Sequence, residues 1–179
     1  MKNLPKKLSL AGLTLLVGGG IAVLVSLPQA SATPALNFNS VVLVSTFYDK
    51  IRIPPRHHRD DDDTLAADPF RAKIIVDDAD VYVVDTVVPP GGNSGWHTHP
   101  GPSIVSVKSG TATVYDGDDP SCTAETYPAG TGFVDAGGGH VHLVRNAGSV
   151  QLELIAFQTI PHGATRRIDA PDPGFCPNL

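Results

Sequence analysis

The stretch Ile104–Tyr115, IVSVKSGTATVY, reads as two short strands joined by a tight turn. Ile104–Lys108 and Thr111–Tyr115 are rich in β-branched residues, and Ser109-Gly110 between them is a turn signal. The same rhythm continues outward. Lys73–Val76 and Val81–Val88 precede the pair, and Gly132–Asp135, His140–Arg145 and Val150–Thr159 follow it. Turn chemistry separates these runs: Pro89-Pro90-Gly91-Gly92, Asp116 to Pro120, Ala136 to Gly139, and Asn146-Ala147-Gly148. No segment repeats apolar residues with a clean helical period. Many short strands at this spacing predict an all-β sandwich or barrel over residues 73–160. Val41–Phe47 is a further strand candidate.

The 179 residues carry 13 Lys+Arg against 18 Asp+Glu, a formal charge of −5, which disfavours a nucleic-acid surface. Only 17% of residues are charged and 41% are hydrophobic, so the chain is not a disordered acidic one.

Residues 1–32 differ from the rest. Lys2, Lys6 and Lys7 form a basic start, Leu8 to Leu27 is uncharged and apolar, and Ala30-Ser31-Ala32 is a small-residue cleavage signal. Together they read as a secretory signal peptide, with an uncleaved membrane anchor as the alternative. Cleavage leaves 147 residues beginning at Thr33. Three basic residues and no acidic ones depart with the leader, so the charge moves from −5 to −8. The expected product is a secreted, acidic domain without stable membrane association. Residues 33–72 form an extended N-terminal arm with an acidic loop, and 161–179 a polar, Pro-rich tail over the surface.

Cys122 and Cys176 both lie in turn-like stretches of the mature chain. In an exported protein an even pair predicts a disulfide, here tying the tail to an internal loop. His57 and His58 fall in a charged loop, Pro54 to Asp63, and are expected to be solvated rather than ligating.

Four of the seven histidines form two i, i+2 pairs, His97 with His99 and His140 with His142. Residues so spaced on a strand share a face, so one strand presents two imidazoles to one ion and a second strand adds a third. Neutral imidazole suits Fe, Mn, Zn, Ni and Cu alike. Two such pairs, each beside glycines, predict a transition-metal site. Trp96 alternates away from the histidine face and is expected to pack in the interior. Glu153 is expected on the solvent side of its strand.

These residues resemble the motifs of the cupin superfamily. Gly91, five residues, His97-Thr98-His99 and then Gly110 match its first motif; Gly139, two residues, His142, three residues and Asn146 match its second. The resemblance implies an antiparallel jelly-roll barrel with a metal inside, held by His97, His99 and His142. It also makes a homodimer plausible. The chain departs from the motifs in three places, one being the leading glycine of the second motif, whose position is taken by Thr131 between Gly130 and Gly132. Ser103 stands where the first motif has a glutamate ligand, and Gly137 where the second has a proline. Ser103 either holds a metal-bound water or merely fills space. His140 is placed at the rim or just behind the ligands, with a fourth ligand and a general base as the alternatives. Asn146 is expected to fix a turn. Val105 and Val107 share the parity of Ser103 and make the deep wall apolar, which suits a small, partly apolar ligand.

The resemblance implies a metal-dependent enzyme acting on a small molecule, by dioxygenase-type or lyase/isomerase chemistry. The alternatives are a non-catalytic module binding a sugar or metabolite, and a structural barrel. The mature charge of −8 disfavours large anionic ligands.

Overall fold

The computed structural model describes residues 31–53, 74–176 and 179. The leader lies almost wholly outside them, and the acidic loop Pro54 to Asp63, with His57 and His58, lies wholly outside them. Every regular element among the described residues is a strand. In chain order these are β1 (Asn39–Ile53), β2 (Ile74–Val88), β3 (His97–Thr98), β4 (Ser103–Ser109), β5 (Thr111–Asp116), β6 (Glu125–Pro128), β7 (Gly132–Asp135), β8 (His142–Arg145), β9 (Leu152–Pro161) and β10 (Ile168–Asp169). No described helix is long and apolar enough to cross a membrane.

Ten strands build two antiparallel sheets of five, in the orders β1-β2-β9-β4-β7 and β10-β3-β8-β5-β6. The hairpin read from Ile104–Tyr115 connects them: β4 belongs to one sheet and β5 to the other. Alternation then decides what lies between. In β4, Ser103, Val105 and Val107 are buried while Ile104, Ser106 and Lys108 are exposed. In β9, Leu152, Leu154 and Gln158 point inward, and Glu153 on the outer face pairs with Lys108. Val88, Val105, Val107, Leu152 and Leu154 from the first sheet meet Ala112 and Val144 from the second, forming one core cluster.

A second cluster lies on the other side of β8. Leu143 alternates away from His142 and Val144, and packs with Trp96, Ala170 and Cys176. Trp96 is 1% exposed, so its indole is interior as its parity predicts. Cys122 and Cys176 are at disulfide distance, their Cα atoms 5.3 Å apart. The pair fastens the tail over this cluster.

Three features differ from the sequence reading. The two runs expected at Lys73–Val76 and Val81–Val88 are one strand, because the acidic residues between them remain paired to β1 through Asp80↔Phe47 and Asp77↔Lys50. The strand expected at Val41–Phe47 within the N-terminal arm is longer, Asn39–Ile53, and forms the edge strand β1, whose Val41, Leu43 and Phe47 are exposed. The tail does more than cover the surface: β10 adds to the second sheet beside β3, with Asp169 opposite His97.

Gly137 explains one departure from the motif. Its φ is +66°, a conformation closed to proline, and an added Cβ would lie 2.2 Å from the Gly101 carbonyl carbon and oxygen. Glycine is required by this turn's path against the β3–β4 loop.

Candidate metal centre

His97 opens β3 and His142 opens β8, and the two face each other directly in the antiparallel ladder. His99 follows just beyond β3. All three are buried, at 4%, 6% and 4% exposure. Each offers one ring nitrogen to a cluster whose atoms lie within 4.8 Å of one another. The i, i+2 reading of His97 and His99 therefore holds geometrically, and cross-strand register brings in the third.

The backbone settles how two of these rings are used. His97 Nδ1 lies 3.0 Å from the Gly95 carbonyl oxygen, and His99 Nδ1 lies 2.6 Å from that of Arg166. A carbonyl only accepts, so each Nδ1 carries the hydrogen and each Nε2 keeps its lone pair. Metal-binding histidines are oriented in this way. Burial pushes His97 well below the ordinary imidazole range, followed by the charges of His142, Arg167 and His99. Burial also lowers His99, and it takes His142 down to about 4 against the pull of Asp135. Neutral rings with free lone pairs in a dry site are what a transition ion requires, so the residues fit such an ion.

These shifts carry a stability consequence. Unfolded imidazole titrates near 6.5. Between that value and the lowered folded ones the unfolded chain binds more protons, so the metal-free protein loses stability as pH falls. His142 alone, from 6.5 to about 4, corresponds to about 3 kcal/mol. His140 has the opposite sign: burial lowers it, but Asp116 and Asp135 outweigh burial and raise it overall. Its contribution is present at low pH and fades as pH rises through its folded value. Half-buried His140 is the smaller effect. The urea midpoint of metal-free protein is expected to fall steadily from pH 6.5 to pH 4; a flat or rising midpoint contradicts the buried, neutral assignment.

Other expected site residues fall as follows. Ser103, 1% exposed, lines the same cavity, and its Oγ accepts a hydrogen bond of 3.0 Å from Gln158 Nε2. His140 sits in the turn before β8, so strand parity does not aim it at the ion. Its Nε2 lies 3.1 Å from Asp116 Oδ2 and its Nδ1 3.5 Å from Asp135 Oδ1, at the rim of the site. Asn146 fixes a turn: its amide donates to the Val88 and Val150 carbonyls, and its Oδ1 accepts from Gly148 N–H.

Ser40, Thr86 and four further polar residues of the cavity escaped the sequence reading. Asp135, Gln158, Arg166 and Arg167 all line the cavity, whose volume is about 60 Å³. Gln158 shares inward parity with Leu152 and Leu154, which is the signal that was available for it. Arg166 donates to Gln158 Oε1 at 2.8 Å, and so continues the chain that reaches Ser103. Arg167 pairs with Asp169. Among the described residues no carboxylate pairs with Arg166. Burial, and then neighbouring Arg167, lowers the proton affinity of its guanidinium.

No family profile matches the chain, and no curated protein does. Solved structures of similar shape include an uncharacterised protein with a double-stranded β-helix domain from Klebsiella pneumoniae, at 24% identity, 50% of this chain, 74% of that one and a TM-score of 0.41. A cupin domain from Bordetella pertussis aligns at 21% identity, over 44% of this chain and 80% of the other, with a TM-score of 0.38. An oxalate oxidase aligns at 21% identity, over 50% of this chain and 46% of its own, with a TM-score of 0.43. In its own strand order, with two antiparallel five-stranded sheets and His97 and His142 paired and facing inward between them, this chain has an all-β, antiparallel jelly-roll fold.

Proposed function

We propose that this is an exported metal-dependent enzyme whose substrate is a small molecule carrying a carboxylate. The convergence of three buried imidazoles, two of them fixed as Nδ1–H tautomers, carries the reading. A divalent transition ion, when bound, supplies Lewis acidity or redox capacity.

The chain's own residues do the rest. Arg166, half-buried and without an acidic partner among the described residues, binds the substrate carboxylate with a planar fork of donors. Gln158 and Ser103 hold that fork in line with the imidazoles. Val105, Leu154, Ala156 and Phe133 line the remaining wall and exclude water, which strengthens the charge interactions inside. A cavity of about 60 Å³ admits only a few heavy atoms, so the substrate is small. The acidic surface repels large anions but leaves room for one carboxylate against a buried cation.

The test reconstitutes the mature protein with Fe, Mn, Zn, Ni or Cu in turn, and offers small carboxylic acids with and without oxygen. Metal-dependent turnover is expected, and Arg166→Gln should raise KM more than about tenfold, the loss of a charge-assisted hydrogen bond. Tight metal binding with a bound acid but no turnover would favour the non-catalytic binding module. No acid bound or turned over would overturn the substrate assignment.

A further inference from the structure

The chain lacks a carboxylate at position 103, yet a buried carboxylate lies directly across the sheet. Ser103 in β4 and Asp135 in β7 are Cα partners in the antiparallel ladder. The Asp135 side chain is 3% exposed, and it lines the same cavity as the three histidines. One oxygen, Oδ1, accepts a hydrogen bond of 3.0 Å from Gly137 N–H, which caps the turn leading to β8. That oxygen also lies 3.7 Å from His142 Nδ1 and 3.5 Å from His140 Nδ1.

The unmet demands around it match. Asp135 Oδ2, His142 Nδ1 and His140 Nδ1 are all removed from solvent and have no hydrogen-bond partner. A buried polar atom without a partner costs free energy, and a buried carboxylate costs more. Both imidazole distances run to Oδ1 and are just beyond good hydrogen-bond range, so a small rotation of the carboxylate or the ring brings the His142 Nδ1–H onto Asp135. Of the three rings only His142 leaves its Nδ1 without a hydrogen bond, although the His140 backbone also lies near enough to favour its protonated form. His97 and His99 have carbonyl acceptors in Gly95 and Arg166.

We propose that Asp135 is the positioning carboxylate of the centre: it accepts the His142 Nδ1–H, fixes that ring's tautomer and orientation, and leaves Nε2 to the ion. The carboxylate has thus moved from the first motif to the facing strand and acts through a histidine instead of touching the ion. An ion on three neutral imidazoles keeps its full charge, and the Asp135 charge behind His142 offsets part of it. The proposal rests on the three-histidine reading.

Cobalt(II) titration with chelator competition tests it on the full mature chain. Asp135→Asn removes the charge at nearly constant shape. It should weaken Co²⁺ binding about tenfold to a hundredfold, the usual cost of losing such a partner. The melting temperature of metal-free Asp135→Asn should equal or exceed that of the wild type, because an uncompensated buried charge is gone. A purely structural role, capping the Gly137 turn, would do the reverse: lower the metal-free melting temperature and spare Co²⁺ affinity.

Nitrogen-15 NMR of histidine-labelled wild type with Zn²⁺ gives a readout that needs no variant. His142 should show a protonated Nδ1 and a metal-bound Nε2, and the opposite assignment would overturn the proposal. Equal Co²⁺ affinity in Asp135→Asn and wild type overturns it while leaving the three-histidine centre standing. A wild type that binds neither Co²⁺ nor Zn²⁺ removes both.

Discussion

His97→Ala should weaken metal binding by more than about a hundredfold, beyond the cost of losing an outer partner. Three buried nitrogens within 4.8 Å of one another form the cluster, and its alanine variant keeps only two. Neither of the remaining histidines can compensate. His99 is fixed by the Arg166 carbonyl, and His142 stands opposite position 97 in the ladder. His140, the nearest other imidazole, is held outward by Asp116 at 3.1 Å. The fold should survive, because His97 sits beside the core clusters and not within them. Relief of a buried imidazole's desolvation offsets part of the cavity left behind. Competition against a chromogenic chelator measures the change, and His142→Ala should match it. Affinity within a few-fold of wild type would show that the ring is packing rather than ligation.

Removal of the Cys122–Cys176 link should cost about 4 kcal/mol. The two residues are 54 apart in sequence, and the chain-entropy model assigns a loop of that length roughly this value. The structure adds a local reason. Cys176 is buried against Trp96, Leu143 and Ala170, so the link holds the tail over the second cluster. The same tail carries β10, opposite His97, and the Arg166 carbonyl that orients His99. Loss of the disulfide therefore reaches the metal centre as well as the fold. Cys122→Ser/Cys176→Ser should unfold at markedly lower urea and bind metal more weakly. A double variant with unchanged midpoint and affinity would mean that β10 is held by its own pairing.

What the sequence disclosed and what it hid divide along local and non-local lines. The Ser109-Gly110 hairpin and the inward parity of Ser103, Val105 and Val107 depend on neighbours in the chain, and both are present as read. His97 and His99 share a face for the same reason. The joining of His142 to them came from the family resemblance, and the ladder pairing His97↔His142 is its structural basis. Asp135 was hidden because its importance lies in register. Nothing near it in sequence says that it will face Ser103 across β4 and β7. Arg166 and Arg167 were hidden differently. They sit in a polar, proline-rich segment that looks like surface tail, and only the two-residue strand β10 turns them toward the cavity. The strand expected over His140–Arg145 begins only at His142, so strand parity does not reach His140. The run of glycines before it leaves His140 free to meet Asp116 instead.

Metal stoichiometry decides whether His97, His99 and His142 together hold a single ion. Elemental mass spectrometry of residues 33–179, reconstituted with each candidate ion and freed of excess by gel filtration, gives the answer. About one transition-metal ion per chain is expected in the wild type and essentially none in His97→Ala/His142→Ala, with both proteins folded. Metal-free wild type after every reconstitution, or equal metal in wild type and double variant, would contradict a single ion on these histidines.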